Sequence, residues 1–152
     1  MYGAIILVVT GFLSFGRVSM TDILMMKKQI FLIDHGTYAF DVLVCIGSTR
    51  TEVVDYLAKH LSYRIDEEES QKLEMKGSGR TVRLKNGATV LQVELPRGKS
   101  LALFHSNIAH EIFHAVEFLF DHIGIQYDME KSGEVFAYQI GHLTEQLYEK
   151  LK

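Results

Sequence analysis

An H-E-x-x-H pattern inside a long apolar run is the feature that most restricts how this chain can fold. The pattern runs from His110 to His114, and the apolar residues around it recur at helical spacing over residues 106–124. Side chains four positions apart on a helix lie one above the other on the same face. The sequence therefore predicts a helix that presents two imidazoles to a single cation.

Glu111 directly follows the first histidine of the pattern. It lies about 100° around the helix from His110, so it cannot easily bind the same ion, but it can reach a water held by that ion. Two imidazole ligands and a neighbouring carboxylate base are what zinc-assisted hydrolysis needs. The five-residue pattern arises by chance in roughly one of forty chains of this composition, so its structural setting has to support it.

Composition indicates one domain without a nucleic-acid-binding character. The chain has 152 residues and a formal net charge of −3, and its basic residues do not cluster. Its one cysteine, Cys45, excludes an intrachain disulfide and fits a reducing compartment. We therefore expect a cytoplasmic location, in a bacterial or a host cell, and no nucleic-acid partner.

The first residues differ from the rest of the chain. Residues 1–16 carry no charge, yet they are fewer than the roughly 20 residues of a membrane span and lack the basic start of a signal peptide. Three interpretations stay open: a short membrane-associated segment, a helix or strand packed on the domain, or an upstream extension of it. Because the regular pattern begins after Met25 and Met26, residues 1–25 are predicted to be a peripheral segment.

The remaining chain predicts an α+β fold with a small, mainly antiparallel sheet. Thr49 and Glu52 form a capping-box pattern before one helix, and Asn86-Gly87 is typical of a hairpin turn. Strands are predicted at residues 29–34, 40–46, 81–84 and 88–95, and long helices at residues 51–61, 106–124 and 133–151. The sheet is thus accompanied by a helix in the N-terminal half, the motif helix and a C-terminal helix.

A zinc ion held by two imidazoles needs a third protein ligand. His122 lies eight positions after His114, about 12 Å along a helix, and is too far away. Glu134, which opens the last predicted helix, is the preferred third ligand, because two antiparallel helices can bring it to the histidines. Asp128 and Glu130 on the connecting loop are the alternatives.

Other side chains near the pattern have two interpretations each. Tyr138 lies one turn after Glu134, where its hydroxyl can stabilise an oxyanion or its ring can pack between helices. Glu117 and Asp121 can hydrogen-bond the ligand imidazoles or face solvent. His142 is a second candidate for the oxyanion, against a structural or exposed role.

The H-E-x-x-H pattern followed by Glu134 and Ala137 resembles the gluzincin class of zinc metallopeptidases. Residues 26–152 resemble more closely the small metallopeptidase-like proteins of phages and prophages, through phrases such as AHEIFHAVEFLFDHIGI and EVFAYQIGHLTE. The resemblance implies a minimal zincin-like fold, with His110, His114 and Glu134 as zinc ligands. It also implies an edge strand that pairs with extended substrate, which we place at residues 89–94.

The expected function is that of a zinc-dependent peptidase. It would hydrolyse peptide bonds through a metal-activated water, with Glu111 as the general base and Tyr138 beside the oxyanion. The cofactor is Zn²⁺ and the partner is a peptide or protein substrate. The alternative is a zincin-fold protein of phage or prophage origin that binds or regulates a partner without turnover.

Overall fold

The computed structural model describes residues 26–97 and 100–151. In this part of the chain, two strands followed by two helices occur twice in succession. The elements are β1 (Gln29–His35), β2 (Tyr38–Ile46), α1 (Arg50–His60), α2 (Glu67–Lys72), β3 (Gly79–Arg83), β4 (Thr89–Val93), α3 (Leu101–His122) and α4 (Gly133–Lys150). The predicted α+β class is confirmed. The predicted peripheral segment, residues 1–25, lies outside the described residues. None of the helices in the described ranges is both long and apolar enough to cross a membrane.

The four strands form one mixed sheet in the order β1-β2-β4-β3. Two of its three pairings are antiparallel, and β2 pairs with β4 in parallel. The prediction that residues 89–94 form the edge strand is wrong, since β4 lies between β2 and β3 and all five of its residues are buried. Among the described strands, β3 is the edge strand on the side of β4.

Helices cover both faces of the sheet. On one face α3 lies over β3 and β4 while α4 lies over β1, and their apolar side chains form one core with Leu91 and Val93. On the other face Val53 and Leu57 of α1 pack with Val90. The motif helix therefore packs against both the sheet and α4.

The ends of the helices follow local rules. Thr49 caps α1 in a complete capping box with Glu52, as predicted. The motif helix α3 begins at Leu101, earlier than the predicted residue 106, because the buried Phe104 extends its apolar stripe by one turn. It ends as predicted before Gly124, whose φ of +77° suits glycine at this position.

His35 ties the turn between β1 and β2 to α4. Its side chain is 1% exposed, and Gln139 Nε2 lies 3.0 Å from His35 Nδ1 and donates to the His35 carbonyl. Because an amide nitrogen can only donate, Nδ1 accepts and the ring is neutral. Burial and then the nearby His142 lower the pKa of His35 from 6.5 to about 4.

We expect this histidine to make stability depend on pH. The unfolded chain binds a proton at His35 below pH 6.5 while the folded chain does not. The contribution of His35 to the free energy of unfolding is therefore fully present above pH 6.5 and is lost as the pH falls to about 4. Allowing for solvent screening, the loss is about 2 kcal/mol.

Urea denaturation of His35→Gln should show a correspondingly smaller loss of stability between pH 6.5 and about 4. The exposed His60→Gln should behave like the parent, and equal slopes for all three proteins would contradict the assignment.

Candidate metal site

The two histidines of the pattern converge on α3. The Nε2 atoms of His110 and His114 are 3.1 Å apart, and their rings lie nearly edge to face. Two nitrogens that each lie about 2.0–2.1 Å from a tetrahedral zinc ion are about 3.3 Å apart, so the pair fits two ligand positions of one ion. The same spacing allows a direct hydrogen bond between the rings when one Nε2 carries a proton.

Glu117 orients one of these imidazoles. Its Oε2 lies 2.7 Å from His114 Nδ1, the ring nitrogen that faces away from the other histidine. A carboxylate on Nδ1 fixes the tautomer and leaves Nε2 as the free donor to a metal. Of its two predicted roles, contact with a histidine of the pattern or exposure to solvent, Glu117 makes the histidine contact. Asp121 pairs instead with Arg83, at 2.9 Å from its guanidinium.

Glu111 points from α3 into the sheet. It is 5% exposed, and Thr81 Oγ1 on β3 lies 2.7 Å from its Oε2 and 3.0 Å from its backbone carbonyl. Gly79 lies on the same side of β3, where an added Cβ would come within 2.7 Å of Glu111 Oε1. The carboxylate therefore accepts from the Thr81 hydroxyl and occupies the space that a side chain at position 79 would need.

The structure does not bring Glu134 to the histidine pair. Ring contacts set the register of α3 against α4: His105 packs on Tyr148 and Phe120 packs on Phe136. Glu134 is consequently level with the C-terminal end of α3, roughly 10 Å along the axis from His114. It also lies about 160° around α4 from the buried Phe136, and it is exposed.

The remaining candidates lie apart from the pair as well. Tyr138 is 76% exposed and shares with Glu134 an open depression on the outer side of α4. His142 faces the β1–β2 turn, with its Nε2 2.7 Å from Gln146 Nε2. In the connecting loop, the Asp128 carboxylate accepts from the backbone of residues 130 and 131.

Within residues 26–97 and 100–151, no cluster of three or more His, Cys, Asp or Glu side chains is arranged to hold a metal. The described chain therefore supplies two converging nitrogen donors, His110 and His114, and an adjacent buried carboxylate. A catalytic zinc site has three protein ligands, so these two histidines supply one ligand fewer than such a site needs.

Gly79 and Thr81 were not singled out from the sequence. They lie two positions apart, so they share one face of a strand. A short strand with a glycine and a hydroxyl on one face, shortly before a motif helix, is the signal that could have pointed to them.

No protein-family model, curated protein or solved structure matches this chain. The resemblance to gluzincins stays a prediction.

Proposed function

We propose that this protein is a zinc-dependent peptidase whose metal is held by His110 and His114. The observation that carries the proposal is the 3.1 Å approach of their Nε2 atoms, next to a buried carboxylate on the same helix. Zinc bound there would supply a Lewis acid that lowers the pKa of water, so that a hydroxide nucleophile would be available near neutral pH. Glu134 is not part of this proposal, because the register of the two helices keeps it away, so the third ligand that zinc needs has to be a donor other than Glu134.

Glu111 is the proton carrier in this proposal. Thr81 holds one of its carboxylate oxygens, at 2.7 Å, which limits the rotamers that the side chain can adopt. A carboxylate fixed beside the histidine face can take a proton from the attacking water and pass it to the leaving amine. Thr81 acts through Glu111 and is a positioning residue.

The border of the sheet offers a place for an extended substrate. In the antiparallel pairing with β4, alternate residues of β3 direct their backbone groups away from β4. Leu84 bonds to Ala88 across the hairpin, so the outward-directed residues are Gly79, Thr81 and Arg83. These residues also face α3, so a peptide added along β3 would lie beside the motif helix.

Removal of one histidine tests the metal site. We expect the purified full chain to hold about one zinc ion, and His110→Ala to lose the ion and peptide cleavage together. His122→Ala removes an exposed histidine from the end of the same helix and should change neither. Zinc content by mass spectrometry and cleavage of a fluorogenic peptide library measure both effects. Unchanged zinc in His110→Ala would refute the site.

Gly79→Ala tests the position of Glu111. The added methyl group would meet Glu111 at 2.7–3.1 Å, so the carboxylate has to shift. A displacement of this size is expected to reduce cleavage by about 10²-fold while zinc is retained. Gly141→Ala is the control, because its Cβ would meet no atom within 4 Å. Full activity in Gly79→Ala would show that the carboxylate need not lie where the structure has it.

A second candidate is a zinc-binding protein that recognises a partner without turnover. The observation that favours it is the exposure of Glu134 and Tyr138 on the far side of α4, which leaves both outside the histidine site. This candidate predicts the same zinc loss in His110→Ala. It is preferred over the peptidase if the zinc-loaded parent cleaves nothing in a broad peptide library.

A further inference from the structure

A second site lies on the other face of the sheet from α3. A cavity of about 520 Å³ opens where the parallel strands β2 and β4 end, between the start of α1 and the chain after α2. Ligands of open sheets commonly bind beyond the carboxyl ends of parallel strands. The volume is within the range of pockets for small molecules.

Gln92 gives this cavity a buried polar group. The residue is 1% exposed and lines the cavity, and its Nε2 donates to the Leu73 carbonyl at 3.2 Å. That bond fixes the orientation of the amide, and among the described residues no group donates to its Oε1. Buried acceptors are nearly always satisfied in native proteins, so Oε1 requires a donor from outside the described residues, either water or a bound molecule.

The start of α1 gives the cavity a positive end. The capping box uses the backbone N–H groups of Thr49 and Glu52, whereas those of Arg50 and Thr51 belong to the same first turn and have no partner inside the helix. Arg50 and Arg97 also line the cavity. A carboxylate is stabilised at such a helix start.

Two carboxylates give the same rim a negative side. Glu74 and Glu94 line the cavity together with the two arginines, and Glu74 lies 3.6 Å from Arg50 Nε. A phosphate dianion would be repelled by both carboxylates, whereas a ligand with separate positive and negative ends complements the rim. Met75 and Val93 are apolar residues that also line the cavity.

We propose that this cavity binds a short zwitterionic peptide, of about dipeptide size. Its carboxylate lies at the start of α1 with Arg50 and Arg97, and its ammonium group lies toward Glu74 and Glu94. Its amide N–H donates to Gln92 Oε1. The proposal does not depend on the metal site, which lies on the opposite face of the sheet.

Calorimetric titration of the full chain in EDTA, where metal-dependent cleavage cannot occur, tests the proposal. The probes are a panel of free dipeptides, the same dipeptides with an acetylated N-terminus or an amidated C-terminus, inorganic phosphate and adenosine monophosphate. We expect saturable binding of a free dipeptide with a Kd below about 1 mM, weakened at least about tenfold by blocking either end. Absence of saturation by every free dipeptide overturns the proposal. Equally tight binding of phosphate or the nucleotide also overturns it, in favour of a simple anion site.

Variants assign the contacts. Gln92→Met keeps the volume but removes the acceptor, and Arg50→Gln removes a rim charge at the surface. Each variant should raise the Kd for the free dipeptide at least about tenfold. Arg64→Gln, which changes an exposed arginine outside the cavity, should leave this Kd unchanged. Should Gln92→Met fail to fold, Arg50→Gln decides the outcome. Parent-like binding in the folded variants overturns the assignment.

Discussion

Glu111→Gln should abolish most peptide cleavage while leaving zinc in place. The amide cannot accept a proton from water, and loss of a positioned general base costs about 10²–10⁴-fold in rate. Glutamine has the shape of glutamate and can still bond Thr81 through its amide oxygen, so the fold should persist. Cleavage rate and zinc content measured on the same sample separate loss of the base from loss of the metal.

Glu117→Gln is the matched control on the same helix. Glu117 contacts His114 Nδ1, so its removal should weaken zinc binding by about 10–100-fold and reduce cleavage only through the metal. At saturating zinc its activity should therefore recover, whereas that of Glu111→Gln should not. Recovery of both variants with added zinc would remove Glu111 from the proposed chemistry.

Phe120→Ala should produce the largest loss of stability. Phe120 is fully buried on α3, and its ring packs against Phe136 of α4 and Tyr38 of β2. Truncation of a buried phenylalanine costs about 3–5 kcal/mol, because the cavity left behind is only partly filled. Urea denaturation should show this loss at any pH at which the parent is folded.

Phe113→Ala controls for the residue type and the helix. Phe113 is 42% exposed on α3, so its truncation should change the free energy of unfolding by less than about 1 kcal/mol. Similar losses in the two variants would mean that α3 does not present the face to the core that the structure shows.

The sequence predicted the local features because neighbouring residues determine them. The capping box of Thr49 and Glu52, the hairpin at Gly87 and the stop at Gly124 each depend on a few adjacent positions. The apolar stripe that includes Phe120 likewise follows from helical periodicity, since burial repeats with each turn. These features are the ones that the structure confirms.

The relative placement of elements could not be predicted in the same way. Periodicity shows which face of α4 is apolar, but the register against α3 depends on how Phe136 meets Phe120, which is not encoded in either helix alone. Glu134 therefore starts its helix as predicted and still lies away from the histidines. The central position of β4 had little local signal, because Thr89–Val93 are all buried although two of them, Thr89 and Gln92, are polar.

The contact between Thr81 and Glu111 connects the border strand of the sheet to the proposed general base. Arg83, two residues along the same strand, donates to the Phe118 carbonyl and pairs with Asp121, so β3 is fastened to α3 at two heights. A peptide that added a strand along β3 would reduce the motion of the backbone that carries Thr81, whose hydroxyl bonds the Glu111 carboxylate of α3. We expect peptide binding along β3 to be coupled to the position of the Glu111 carboxylate. Amide hydrogen exchange in β3 should therefore slow when a peptide is bound there.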